Sequence, residues 1–73
     1  MMKGYKKRMV KEFDELNKRA NKLEKMLRKK RLGKLDFDPT CPDWLLKKQH
    51  DAMLEYLECL KTRAILEDVD LEY

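Results

Sequence analysis

A chain of 73 residues with 18 Lys/Arg against 14 Asp/Glu and a net charge of +4 makes one small domain. A core of that size supplies only about 3–5 kcal/mol, so self-association is a natural support. No apolar run approaches the roughly 18 residues of a membrane span, and the Lys-rich start lacks the apolar stretch of a signal peptide, so a cytoplasmic protein is expected.

The first element is a helix over residues 3–31. Met9, Phe13, Leu16, Ala20, Leu23 and Leu27 recur at alternating steps of 4 and 3, a heptad seam between charged and polar positions. Gly33 suits the left-handed position that closes a helix, and Arg28 to Arg31 suit its negative end. A hinge follows over 32–40, where Leu35 and Phe37 alternate with Asp36 and Asp38 and are expected to cap the open end of the seam. The second helix, 41–67, is expected to start from a capping box, Thr40-Cys41-Pro42-Asp43. Its seam reads Leu46, Gln49, Met53, Tyr56 and Leu60, then Arg63 or Ala64, with Leu45, Ala52, Leu57 and Cys59 widening the apolar face. A short acidic tail occupies 68–73.

Two helices of ~43 and ~40 Å joined by a short hinge fold back on each other, which predicts an all-α, antiparallel two-helix hairpin. Charge agrees. Residues 1–34 carry fourteen Lys/Arg against four Asp/Glu, and residues 35–73 carry four against ten. Folding back sets Lys3, Lys6, Lys7 and Arg8 beside Glu67, Asp68, Asp70 and Glu72, and sets Lys25 to Lys34 beside Asp36, Asp38 and Asp43. Most of the opposite charge is then expected to cancel across the hairpin, leaving a few cations for an anionic partner. Apolar residues off the seam predict a homo-oligomeric helical bundle, assembled through Val10, Trp44, Leu45, Leu57 and Ile65.

Catalysis is poorly provided for. The chain has no serine, a single histidine and no Gly-rich phosphate loop. His50 and Cys41 sit too far apart on a helix to act as base and nucleophile. Cys41 and Cys59 are ~27 Å apart on one helix, so free thiols are expected, with no zinc site, no cofactor and no enzymatic activity. Gln49 and Arg63 interrupt an apolar seam. Gln49 reads either as a buried amide that fixes register or as a pocket residue. Arg63 reads either as the partner of Glu12 in an ion pair or, with Arg8 and Lys11, as a phosphate-binding group. Tyr5 among cations suits base stacking, whereas Tyr56 reads as core or as a stacking ring.

The string Leu35-Asp36-Phe37-Asp38-Pro39-Thr40-Cys41-Pro42, then Leu45, Leu46, Gln49, Met53, Tyr56, Leu60, Arg63 and Ala64, resembles small phage and prophage proteins of the crAss-like-phage-related hypothetical family. Arg8-Met9-Val10 with Glu12 and Leu16 fits the same pattern. So does the tail from Arg63 to Leu71, with Asp68 where the tail often has Gly. By its helical-hairpin pattern the chain is also similar to phage anti-defence sponges, which oligomerise and sequester the cyclic nucleotides that activate CBASS or Thoeris immunity. The resemblance implies a phage protein, acting in the cytoplasm of an infected bacterial cell, that binds a cyclic oligonucleotide or cyclic ADP-ribose-type ligand without cleaving it. By side-chain chemistry and position, rather than by that resemblance, the expected ligand residues are Tyr5, Arg8, Lys11, Gln49, Tyr56 and Arg63. Two other readings remain: a protein-interaction module that inhibits a host protein, and a small basic nucleic-acid binder.

Overall fold

Two amphipathic stretches meet in the expected way. The computed structural model describes residues 4–71, so Lys3, Glu72 and their expected pairings lie outside the described residues. Helix α1 spans Gly4–Arg31 and α2 spans Asp43–Leu66, with no strand among the described residues. They run antiparallel in a rod of 47 × 18 × 17 Å.

Polar contacts pin both ends. The Lys6 ammonium donates to the Glu67 carbonyl at 2.7 Å, and Lys30 pairs with Asp43 at the hinge. In both pairs the residue numbers add up to 73. Carried inward, that register sets Met9 opposite Ala64, Phe13 opposite Leu60, Leu16 opposite Leu57 and Ala20 opposite Met53. Leu23 then faces His50, and Leu27 faces Leu46. Large side chains meet small ones in the layers of Met9 and Ala20, which lets two helices approach closely. Phe13 and Leu60 are fully buried, and Met9, Ala20, Leu57 and Ala64 complete the core. The hinge half, with Leu23, Leu27, Leu46 and His50, is only half-buried.

The α1 seam is the expected one, but the α2 seam is rotated. It runs through Leu46, His50, Met53, Leu57, Leu60 and Ala64, and Gln49, Tyr56 and Arg63 are exposed. The two patterns share Leu46, Met53 and Leu60 and differ in which flank turns inward. Burying Leu57 gains a full aliphatic side chain, whereas burying Tyr56 would take its hydroxyl from water. Leu57, expected on the assembling face, is therefore 5% exposed in the hairpin's own core.

Both helices end alike. At α1 the Lys34 amide bonds the Lys29 carbonyl and the Gly33 amide bonds that of Lys30, with Gly33 at φ 68°. At α2 the Val69 amide bonds the Ala64 carbonyl and the Asp68 amide bonds that of Ile65, with Asp68 at φ 54°. These are Schellman closures, and the second turns the tail back so that Val69 and Leu71 pack on the core.

The start of α2 departs from expectation. Pro42 is its N-cap, with no side-chain cap hydrogen bond, and the amides of Leu45 and Leu46 bond the Pro42 carbonyl. Proline biases the residue before it toward extended backbone, which keeps Thr40 outside the first turn and the capping box unmade. In the hinge, Leu35 is half-buried but Phe37 is exposed, because the chain bends at Asp36-Phe37 and the alternation fails there.

Charge also distributes differently. Helix α1 carries twelve Lys/Arg against four Asp/Glu, but α2 carries four of each. The acidic surplus of the second half sits in the hinge and tail. Cancellation is therefore confined to the two ends, where the cations of α1 also gather, while residues 12–24 carry three Lys/Arg against four Asp/Glu and are close to neutral.

Candidate functional site

Helical spacing gathers most of the expected ligand residues on one flank of the rod. Gln49, Tyr56 and Arg63 are seven residues apart and share a face of α2, while Tyr5, Arg8 and Glu12 share a face of α1. Two cross-helix hydrogen bonds join these faces. The Tyr5 hydroxyl donates to Glu67 Oε2 at 2.8 Å, and the Tyr56 hydroxyl donates to Glu12 Oε2. Tyr56 is nonetheless 45% exposed, so its ring stays accessible.

These bonds perturb both phenols. The hydrogen bond to Glu67 raises the pKa of Tyr5 above its ordinary value, helped by desolvation and the carboxylate charge. Tyr56 is raised by its bond to Glu12 and, less, by desolvation and the same carboxylate, while the nearby Arg63 charge opposes the shift. Arg63 therefore stands near Tyr56. The expected Arg63–Glu12 ion pair does not form among the described residues, and the Glu12 carboxylate accepts from the Tyr56 hydroxyl instead. Arg8 curls toward the helix start, where a Cβ added to Gly4 would meet its Nη1 at 3.7 Å.

Lys11 is not part of this flank. One residue from Glu12, it points ~100° away. It lines a groove of about 370 Å³ that the returning tail forms with Lys7, Val10, Asp70 and Leu71. A second depression, of about 390 Å³, lies over the hinge and is lined by Lys30, Gly33 and Leu35 to Asp38. The third and largest, about 520 Å³, lies between the helices at the hinge end and includes Arg31, Trp44, Lys47 and His50. None of the three includes Tyr56 or Arg63.

The expected assembly residues do not form one patch. Trp44, Leu45 and Ile65 are exposed, Val10 is half-buried in the tail groove and Leu57 is core. Leu45 and Ile65, twenty residues apart on α2, face ~160° away from each other. Among the described residues no three of His, Cys, Asp and Glu are grouped to hold a metal, and Cys41 and Cys59 are free and exposed. No helix among the described residues is long and apolar enough to cross a membrane.

Sequence reasoning passed over the hinge-end cleft. The signal was present in the choice of seam: turning His50 rather than Gln49 inward carries Lys47 and Trp44 to the side of α2 that faces Arg31.

Fold and flank together define a helical-hairpin protein whose polar face is built from carboxylate-held tyrosines beside arginines. A family model described as Sequestin matches residues 3–66, and the chain belongs to the Sequestin family. No curated protein and no solved structure matches it.

Proposed function

We propose that this chain is a phage anti-defence protein that binds and sequesters a cyclic nucleotide immune signal without cleaving it, in the cytoplasm of an infected bacterial cell. Membership of the Sequestin family over residues 3–66 carries the reading, since the family name denotes sequestration. The resemblance of the hinge and second helix to crAss-like-phage proteins supplies its phage setting. The flank suits the chemistry. Tyr5 and Tyr56 offer ring faces for bases while their hydroxyls are held by Glu67 and Glu12, and Arg8 and Arg63 offer planar forks for phosphates. An open flank encloses a ligand only when a second subunit closes over it, so capture and homo-oligomerisation belong to the same proposal.

A thermal-shift panel of cyclic di- and trinucleotides and cyclic ADP-ribose isomers tests it. At least one is expected to raise Tm and to be recovered intact after heat denaturation, with Arg63→Gln abolishing the shift and leaving helicity unchanged. A panel with no shift, or a recovered ligand that has been hydrolysed, overturns the reading.

One observation favours a second reading, nucleic-acid binding: α2 leaves the twelve Lys/Arg of α1 largely uncompensated. Affinity that grows with oligonucleotide length and falls steeply with salt would support it.

A further inference from the structure

The hinge-end cleft differs in kind from the other two depressions. Trp44 lines it with 67% of its surface exposed, beside the half-buried aliphatic Leu27. A large indole held beside an aliphatic floor is a stacking wall. Two charged groups around it are already engaged. Glu24 is held by Arg28 at 3.1 Å, and Asp43 is held by Lys30. Of the lining carboxylates, only Asp51 is left without an ion pair among the described residues. On the cationic side, Arg31 and Lys47 both line the cleft, and neither makes an ion pair or side-chain hydrogen bond among the described residues. The cleft therefore presents an aromatic face, an apolar floor and two unspent cations against one unspent carboxylate.

We propose that this cleft is a separate binding site for a nucleobase that carries a phosphate. The base lies on the Trp44 indole above Leu27, and the phosphate takes the planar fork of Arg31 and the point charge of Lys47. Its volume of about 520 Å³ falls within the ~300–1,000 Å³ of small-ligand sites. The site is distinct from the Tyr5 end of the proposed capture flank: Arg31 lies ~39 Å from Tyr5 along α1 at ~1.5 Å per residue. Nothing in the argument depends on that flank, so the two sites stand or fall separately.

Trp44 is the only tryptophan in the chain, so its emission reports on this cleft directly. The experiment titrates the intact protein with AMP and ADP, with adenosine and inorganic phosphate as controls. Saturable quenching by AMP and ADP is expected, with adenosine and phosphate each binding at least about tenfold more weakly because each supplies half of the recognition. Arg31→Gln and Lys47→Gln are each expected to weaken AMP by about tenfold, the loss of one charge-assisted contact. Both side chains are solvent-facing, and far-UV circular dichroism confirms that the variants keep their helices. Arg8→Gln leaves the quenching unchanged, whereas it belongs to the flank that captures cyclic nucleotides. The proposal is overturned by a response that does not saturate, by equal quenching with adenosine, or by Arg31→Gln and Lys47→Gln titrating like the parent. An emission maximum that shifts with protein concentration before any nucleotide is added also overturns it, because a second copy then occupies the cleft. Saturable AMP quenching without any thermal shift from cyclic nucleotides would support this site and count against the capture reading.

Discussion

Asp68 holds φ 54° at the position that closes α2, where Gly33 serves α1 at φ 68°. A side chain in the left-handed region crowds its own carbonyl, at a cost of about 1–2 kcal/mol for most residues and less for Asp. Asp68→Gly removes that crowding but frees the unfolded chain, so a net gain of about 0.5 kcal/mol, a rise of ~2–4 °C in Tm, is expected from thermal melts. The tyrosines give a second residue-level test. Each phenol is hydrogen-bonded in its protonated form, so its folded pKa lies above the unfolded value of ~10. The stability these bonds contribute is complete below pH ~10 and is lost as pH rises through the raised folded values. An ultraviolet titration should show late-ionising phenols, with Tyr5→Phe and Tyr56→Phe each removing one. Ionisation of both at the ordinary value would show that the carboxylates do not hold them in solution.

At the level of the elements, the α2 seam decides which side chains stabilise the hairpin. Both heptad patterns on α2 contain Leu46, Met53 and Leu60, so periodicity alone leaves the choice of flank open. The structure turns Leu57 and His50 inward and leaves Tyr56 and Gln49 outside. Leu57→Ala should therefore cost about 2–4 kcal/mol, enough to unfold much of so small a domain. Tyr56→Ala should cost far less, since its ring is exposed and its bond to Glu12 lies in solvent. Circular dichroism melts of the two variants check the seam directly, and the reverse ranking would restore the seam through Tyr56. The same element-level view explains the uneven core. His50 occupies a seam position near the hinge, so the layers there bury less apolar surface than those of Phe13 and Leu60.

For the whole molecule, a rod 18 Å by 17 Å in section has little interior, and Leu45, Leu54, Ile65 and Leu66 remain exposed on several sides of α2, away from the Trp44 cleft. Self-association is the expected remedy, and mass action gives its signature. Tm should rise with protein concentration, and the native mass should be a multiple of 8.9 kDa. A concentration-independent Tm with monomeric mass would remove the oligomer and, with it, the means of enclosing a ligand on the Tyr56 flank. Polar contacts between the helix ends act at this scale too. Lys6 with Glu67 and Lys30 with Asp43 mark one register at both ends, and that agreement favours a single antiparallel alignment over slipped ones.

Much of this was legible in the chain by itself. The α1 seam, the antiparallel return and the glycine closure at Gly33 follow from the spacing of apolar residues and from backbone sterics, which are local. So does the meeting of Lys6 with the region of Glu67 and of Lys30 with Asp43, because a hairpin of known length fixes which ends meet. Tertiary packing decided the rest. Tyr56 and Leu57 are adjacent and both apolar enough for a seam, and only the cost of burying a hydroxyl against an aliphatic chain separates them. That choice rotated α2, set Tyr56 rather than Arg63 on the Glu12 carboxylate and opened the cleft of Arg31, Trp44 and Lys47. Composition showed opposite charge in the two halves. Only the placement of the acidic residues in hinge and tail, outside a neutral α2, showed that the opposite charges meet at the two ends of the hairpin, where the cations of α1 also gather.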